Sequence, residues 1–221
     1  MIAKELISDV VFPIKTSNTG DDALHQMEIF KVSHLPIVNN KQFLGLISEN
    51  DIYDLNKSEE ALGNHKLSLM SPYVTESQHV YEVIELVSRK KLSLIPVLDK
   101  DKNYLGAITL QDLLQAFAKI TAIDKQGSII VLELNINDFS LSEISQIVEG
   151  NDAKIISLYV SSPDNSMKLD VTLKINKTDL VSIIHTFNRY NYTIKASFLV
   201  AKDIEDLYKD RYDLLMRYLN V

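Results

Sequence analysis

Two hydroxyl–carboxylate pairs, each separated by two residues, are the side chains of this sequence best suited to binding a ligand. Ser48 precedes Asp51, and Thr109 precedes Asp112. A carboxylate can accept two hydrogen bonds from a ribose diol, and a hydroxyl that opens a helix lies beside free backbone amides, where an anion is favoured. The pairs could therefore hold a nucleotide. The same residues could also be only helix caps followed by an acidic first turn.

Both pairs end a stretch that occurs twice, at residues 35–51 and 95–112. Each copy has an apolar-Pro-apolar-apolar run, a polar turn, and then Gly-apolar-apolar-Ser/Thr-x-x-Asp. The prolines are 60 positions apart and the aspartates 61 apart, so one residue is inserted in the second turn. Each copy predicts a buried hairpin that runs into a helix.

A helix is predicted before each hairpin, because the apolar residues there recur at helical spacing. Thr19 and Ser77 are the predicted N-caps of these helices. A short apolar opening strand precedes each helix, at residues 10–13 and 70–74. The predicted unit is therefore strand, helix, strand, strand, helix, present at residues 1–60 and again at 61–124. Units of this size bury too little surface alone, so the two are expected to pack around a pseudo-two-fold axis.

The repeated pattern resembles the cystathionine-β-synthase (CBS) family of regulatory repeats, two of which form a Bateman module. The resemblance implies an adenine nucleotide, AMP, ADP or ATP, in the cleft between the repeats. The hydroxyl would meet a phosphate, the aspartate the ribose, and backbone of the other segments the adenine. One implied site combines Thr109, Asp112, Phe12, Val32 and Leu94. The other combines Ser48, Asp51, Pro72, Leu92 and His34.

The pattern changes after residue 124. Strand, helix, strand, strand, helix and strand patterns follow one another up to residue 201, which is the ferredoxin-like order. Two of these strands are joined by a predicted turn at residues 162–165. This module resembles an ACT domain, many of which bind an amino acid at the first strand-to-helix loop. The family's glycine in that loop is replaced here by Phe139, so we expect a packing or dimerising module rather than an amino-acid sensor. Residues 202–221 predict a C-terminal amphipathic helix.

Composition excludes several functions. The net charge of −7 disfavours nucleic acid and anionic membranes as partners. The sequence has no cysteine, no signal peptide and no apolar run of bilayer length, so we expect a cytoplasmic protein. It also has no P-loop, no GxGxxG and no zinc-binding histidine spacing, so neither a metal site nor an enzyme is expected.

The sequence thus predicts a mixed chain of the α+β and α/β classes, with tandem CBS repeats, an ACT-like domain and a terminal helix. The predicted function is that of a non-enzymatic regulator that senses an adenine nucleotide. The arrangement resembles the stand-alone CBS proteins of the acetoin-utilisation type. We also expect a homodimer, because the helix surfaces carry apolar residues such as Leu113, Leu114 and Phe117. The alternative is a structural adaptor with empty clefts that binds an unknown partner enzyme.

Overall fold

A computed structural model describes residues 1–55, 57–67, 69–162 and 167–198. The chain divides into two compact units, Met1–Phe117 and Ala118–Val221. The predicted C-terminal helix at 202–221 lies outside the described residues, as do residues 163–165 of the predicted turn. None of the helices in the described ranges has the length and hydropathy that a bilayer crossing requires.

The first unit contains the two repeats, and each repeat has a short 3-10 helix, two α-helices and a hairpin. In the first repeat these elements are the 3-10 helix Ala3–Leu6, α1 (Gly20–Phe30), β1 (His34–Asn39), β2 (Gln42–Ser48) and α2 (Glu49–Tyr53). In the second they are the 3-10 helix Leu62–Asn64, β3 (Val74–Thr75), α3 (Val80–Lys90), β4 (Leu94–Leu98), β5 (Tyr104–Thr109) and α4 (Leu110–Ile120). β1 and β2 form one antiparallel pair, and β3, β4 and β5 form a three-stranded sheet.

The predicted N-cap is confirmed in the first repeat and is wrong in the second. Thr19 caps α1, where its side chain accepts from the backbone N–H of Asp22, so that prediction is confirmed. The prediction that Ser77 is the N-cap of α3 is wrong, because the N-cap is His79, two residues further along the chain. The His79 Nδ1 atom accepts from the backbone N–H of Tyr81 at 3.3 Å.

The predicted opening strand also differs between the repeats. In the second repeat the strand predicted at residues 70–74 overlaps β3 only at Val74, and β3 pairs in parallel with β4. In the first repeat the strand predicted at residues 10–13 is absent, and only Ile14 forms a bridge, with Ile37. The Ile14 N–H donates to the Pro36 carbonyl and the Ile14 carbonyl accepts from the Val38 N–H, so the pairing with β1 is confined to Ile14.

The opening segment of each repeat crosses to the second hairpin strand of the other repeat. The N–H of Ser8, in the first repeat, donates to the Ala107 carbonyl on β5 at 2.8 Å. In the opposite direction, the Leu46 N–H on β2 donates to the Met70 carbonyl at 2.7 Å. Each opening segment then continues to the first hairpin strand of its own repeat. The repeats are therefore interleaved, which explains why they form one compact unit.

A glycine permits each exchange, because a side chain there would occupy the space of the crossing segment. A Cβ atom at Gly106 would lie 2.3 Å from Ile7 Cγ2, and one at Gly45 would lie 2.5 Å from Leu69 Cβ. These separations are well below normal carbon–carbon contact. The glycine within the second hairpin strand of each repeat thus has a packing role.

The core of the first unit is made by the hairpin strands and one face of each helix. β4 is buried along its whole length. Each helix also buries apolar residues on one face, which are Ala23 and Met27 on α1 and Val83 and Val87 on α3. Leu113 is 5% exposed, so the prediction that it adds to the helix surface is wrong, whereas Leu114 is 69% exposed. The difference follows from helical spacing, which turns adjacent residues about 100° apart.

In its described residues, the second unit is a four-stranded antiparallel sheet with two α-helices. Its elements are β6 (Ser128–Asn135), the 3-10 helix Ile136–Asp138, α5 (Leu141–Glu149), β7 (Ile155–Ser161), β8 (Lys168–Ile175), α6 (Val181–Arg189) and β9 (Thr193–Phe198). The strand order is β7-β8-β6-β9. Burial alternates along β6, so one sheet face packs on the helices. Phe139, in the first strand-to-helix loop, packs against this core.

Candidate ligand site

The Ser48–Asp51 pair lies where β2 passes into α2. Asp51 Oδ2 accepts hydrogen bonds from the Ser48 N–H at 2.8 Å and from the Ser48 hydroxyl at 2.6 Å. The Asp51 N–H donates back to Ser48 Oγ at 3.2 Å. This is a capping box, so the pair caps α2 whether or not it also binds a ligand.

The Thr109–Asp112 pair has the same geometry at the junction of β5 and α4. Asp112 Oδ2 accepts from the Thr109 N–H at 3.0 Å and from the hydroxyl at 2.6 Å, and the Asp112 N–H donates to Thr109 Oγ1 at 3.1 Å. Within the described part of this unit, no group donates a hydrogen bond to Oδ1 of Asp51 or Asp112. Capping therefore uses one oxygen of each carboxylate and leaves the other able to accept from a ligand.

The first strand of each hairpin brings another predicted residue beside each pair. His34 is the register partner of Ser48, and Leu94 is the register partner of Thr109. The side chain of Leu94 is fully buried, so only its backbone could reach a ligand. The two sites therefore differ at this position, where one has an imidazole and the other an aliphatic chain.

Val32 and Leu92 occupy the turns between the first helix and the hairpin of each repeat. Both side chains are buried. Their N–H groups donate to the carbonyls of Met27 and Val87, at the ends of α1 and α3. Among the described residues no backbone N–H donates to the carbonyl of Val32 or Leu92. These two carbonyls are available to accept from a base amino group.

Phe12 and Pro72 lie in the two crossing segments. Phe12 is 62% exposed, and its ring packs at a tilt against Phe30, with 6.4 Å between centroids. Pro72 lines an open cleft of about 460 Å³ with Lys90 at its edge. Each opening segment runs from the second hairpin strand of the other repeat to the first hairpin strand of its own repeat. Phe12 and Pro72 therefore lie between the two repeats.

Sequence reasoning missed a hydrogen-bonded seam between the repeats. Ser33 and Ser93 occupy equivalent positions, and the Ser33 N–H donates to Ser93 Oγ at 3.0 Å. Ser93 Oγ also lies 3.0 Å from Nδ1 of His34. The recurrence of serine one repeat apart was the available signal, although it does not reveal which groups would meet.

The electrostatics of His34 follow from its half-buried position. Its pKa lies below the ordinary histidine value because burial disfavours the charged ring. The nearby negative charges of Asp51 and Glu49 oppose this shift without cancelling it. His34 is therefore neutral at neutral pH.

A second cleft of the first unit, of about 640 Å³, lies between α3 and α4. Of the predicted site residues it contains only Leu92, and its polar groups include Ser33, Ser93 and Lys91. The hydroxyl–carboxylate pairs are not part of its lining. No group of three or more histidine, aspartate or glutamate side chains in the described ranges could hold a metal ion.

The model of the CBS domain family matches residues 3–57 and 68–119. An inosine-5'-monophosphate dehydrogenase of Methanocaldococcus jannaschii is 26% identical over 133 residues, which cover 58% of this chain and 26% of that enzyme. A CBS domain-containing protein of Dictyostelium discoideum is 29% identical over 135 residues, covering 54% of this chain and 93% of that protein. Among solved structures, CBSX2 of Arabidopsis thaliana in complex with AMP has a TM-score of 0.47 and 21% identity, covering 54% of this chain and 97% of that one.

Proposed function

Because this chain belongs to the CBS domain family, with a tandem pair of these domains at residues 3–57 and 68–119, we propose that it is a non-enzymatic regulator that binds an adenine nucleotide between them. AMP, ADP and ATP share the ribose diol and the adenine for which the two candidate sites have acceptors. The phosphate would lie at the start of α2 or α4, where the Ser48 or Thr109 hydroxyl would turn from its aspartate to donate to the anion.

The observation that carries this proposal is the duplicated carboxylate geometry. Asp51 and Asp112 each use only Oδ2 in the capping box, in the same way in both repeats. A helix cap functions without an opening segment from the other repeat and without the free carbonyls of Val32 and Leu92. In a nucleotide complex, the ribose diol would donate to the free carboxylate oxygen, and the adenine amino group would donate to the free carbonyl of Val32 or Leu92.

The test is calorimetric titration with AMP, ADP and ATP of the wild-type chain and of aspartate variants. Asp112→Ala or Asp51→Ala removes a charged acceptor and should weaken binding at its own site by about 1.5–3 kcal/mol, or about 10- to 150-fold. Unchanged affinity in both variants would refute the proposal.

Asp22→Ala is the matched control for lost capping. Asp22 forms the same capping box with Thr19, with a 3.0 Å bond from the Thr19 N–H to Asp22 Oδ2, but it lies at the start of α1 and outside both candidate sites. It should lower stability by a similar amount to the other two variants and leave nucleotide affinity unchanged. A loss of affinity in Asp22→Ala would show that the aspartates act only through folding.

A structural adaptor with empty clefts is the second candidate function. The exposed apolar side chains of Leu110 and Leu114 on α4, and of Tyr81 on α3, favour a protein partner for these helices. Thermal shift with and without each nucleotide separates the two functions, because only a ligand that binds the native state stabilises it. Native mass spectrometry of the protein as purified would show both a retained nucleotide and the number of subunits.

The same exposed helix residues support a homodimer, in which a second copy covers α3 and α4 of the first unit. For the second unit we propose an ACT-like module that packs or dimerises. Its support is the strand and helix order, together with Phe139, which packs against the core where the ACT family has a glycine. A cytoplasmic location is proposed from the absence of cysteine.

A further inference from the structure

The seam between the two CBS domains is built around one ring nitrogen of His34. The backbone N–H of Ser93 points at His34 Nδ1 at 3.4 Å, and Ser93 Oγ lies 3.0 Å from the same atom. Ser33 Oγ is a third neighbour, at 3.2 Å. A backbone N–H can only donate, so Nδ1 must be an acceptor here. His34 is therefore neutral, with its proton on Nε2.

The seam connects the backbone of both candidate sites. Ser93 stands between Leu92, which belongs to the Ser48–Asp51 site, and Leu94, which belongs to the Thr109–Asp112 site. Ser33 likewise stands between Val32 of one site and His34 of the other. A change at the seam must therefore move the backbone acceptors of both sites together.

The carbonyls of the two serines extend the seam to the helices that carry the aspartates. The Glu49 N–H donates to the Ser33 carbonyl at 3.2 Å, and the Leu110 N–H donates to the Ser93 carbonyl at 3.1 Å. Glu49 begins α2 and Leu110 begins α4. The seam thus fixes the start of each ligand-binding helix relative to the strand beside it.

We propose that His34 is a positioning residue, which in its neutral form holds Ser93 and thereby the backbone of both sites, and which releases them when it is protonated. A proton on Nδ1 would face the Ser93 N–H, so two donors would oppose each other and the ring would have to turn away. The titratable groups that face the ring are Asp51 and Glu49, whose charges favour the protonated form. Leu94, the equivalent residue of the second repeat, has no titratable group.

The effect on ligand binding rests on the proposed function, whereas the effect on the ligand-free protein does not. The folded-state pKa of His34 is below its unfolded value, so the stability it contributes is present above about pH 6.5 and is lost as pH falls through the folded-state pKa. The seam should therefore weaken under mildly acidic conditions.

The test compares the wild-type chain with His34→Asn and His34→Leu at about pH 7.5 and about pH 5.5. Asparagine places an acceptor oxygen near the position of Nδ1 and does not titrate, whereas leucine is the residue that the second repeat has at this position. We expect AMP affinity of the wild type to fall about 5-fold or more on acidification. His34→Asn should lose less, and His34→Leu should be weakened at both values of pH. The AMP phosphate also titrates near pH 6, and the comparison with His34→Asn removes that contribution.

Two measurements without ligand keep the proposal testable if AMP does not bind or a variant does not fold. Nitrogen NMR of the wild-type imidazole should show His34 protonated at Nε2 and not at Nδ1 near neutral pH. The midpoint of thermal unfolding should fall more on acidification in the wild type than in His34→Asn. A proton on Nδ1, or superimposable pH profiles of the wild type and His34→Asn, would overturn the proposal. A wild type that binds no AMP but shows the expected tautomer and pH profile would instead overturn only the proposed function.

Discussion

The contact between Gly106 and Ile7 offers a direct test of the interleaved fold. In Gly106→Ala the new Cβ would lie 2.3 Å from Ile7 Cγ2, whereas carbon atoms in contact are normally about 3.5–4.0 Å apart. The opening segment must therefore shift by more than about 1 Å, which strains the hydrogen bond from the Ser8 N–H to the Ala107 carbonyl. Overpacking of this kind costs about 1–3 kcal/mol.

A double-mutant cycle isolates this contact from other effects of the substitution. Ile7→Ala removes Cγ2 and should cost about 1 kcal/mol, because the side chain is only half-buried. The double variant Gly106→Ala/Ile7→Ala should then be little less stable than Ile7→Ala alone. Ile7→Val is the matched control, because valine keeps both γ carbons and so keeps the clash with the Cβ atom that Gly106→Ala introduces.

The assay is urea unfolding of the full chain, read by hydrogen exchange of peptides that contain the Ser8 amide. The expected result is a coupling of at least about 1 kcal/mol between Gly106→Ala and Ile7→Ala, and no rescue by Ile7→Val. If the two alanine substitutions were additive within about 0.5 kcal/mol, Ile7 would not contact β5. The exchange of opening segments, and with it the assignment of Phe12 to the Thr109–Asp112 site, would then be wrong.

Three further predictions concern the helix caps, the second unit and assembly. Thr19→Ala should cost about 1 kcal/mol in urea unfolding because it removes a cap, whereas Ser77→Ala should change stability by less than about 0.5 kcal/mol because His79 is the cap; equal losses would contradict the cap assignment. A thermal-shift screen of free amino acids should find no stabilising compound, since Phe139 replaces the ACT family's glycine in this loop; one hit that is lost on changing Ser140 or Phe139 would overturn this. Sedimentation at low micromolar concentration should show a dimer that nucleotide tightens by about 1–3 kcal/mol, and a monomer with and without saturating nucleotide would refute both statements.

The repeats and the residues of the two pairs could be predicted from the sequence because they depend on neighbours in the chain. Helical and strand periodicities are set by residues within one element, and a Ser/Thr-x-x-Asp capping box closes within one turn. The choice of Thr19 as a cap succeeded for the same reason, since both hydrogen bonds of its capping box join residues three positions apart. These features need no knowledge of what packs against them.

The cap of α3 shows where such reasoning fails. Ser77 has the better intrinsic capping side chain, but the start of this helix is fixed by the N-terminal segment. Ile2 forms a bridge with His79, and the Met1 carbonyl accepts from the Val80 N–H. These contacts join residues more than seventy positions apart, and they select His79 against local preference.

The tertiary structure alone decided how the two halves of each candidate site meet. Family resemblance suggested that Phe12 belongs with Asp112, but not that Ile7 and Ser8 cross onto β5. The sequence also showed two serines one repeat apart without showing that both meet Nδ1 of His34. Contacts of this kind depend on how one repeat packs against the other. A sequence pattern within a single repeat cannot predict that packing. The two capping boxes were therefore readable from local sequence, whereas the crossing of the opening segments and the contacts of Ser33 and Ser93 with His34 were determined by long-range packing.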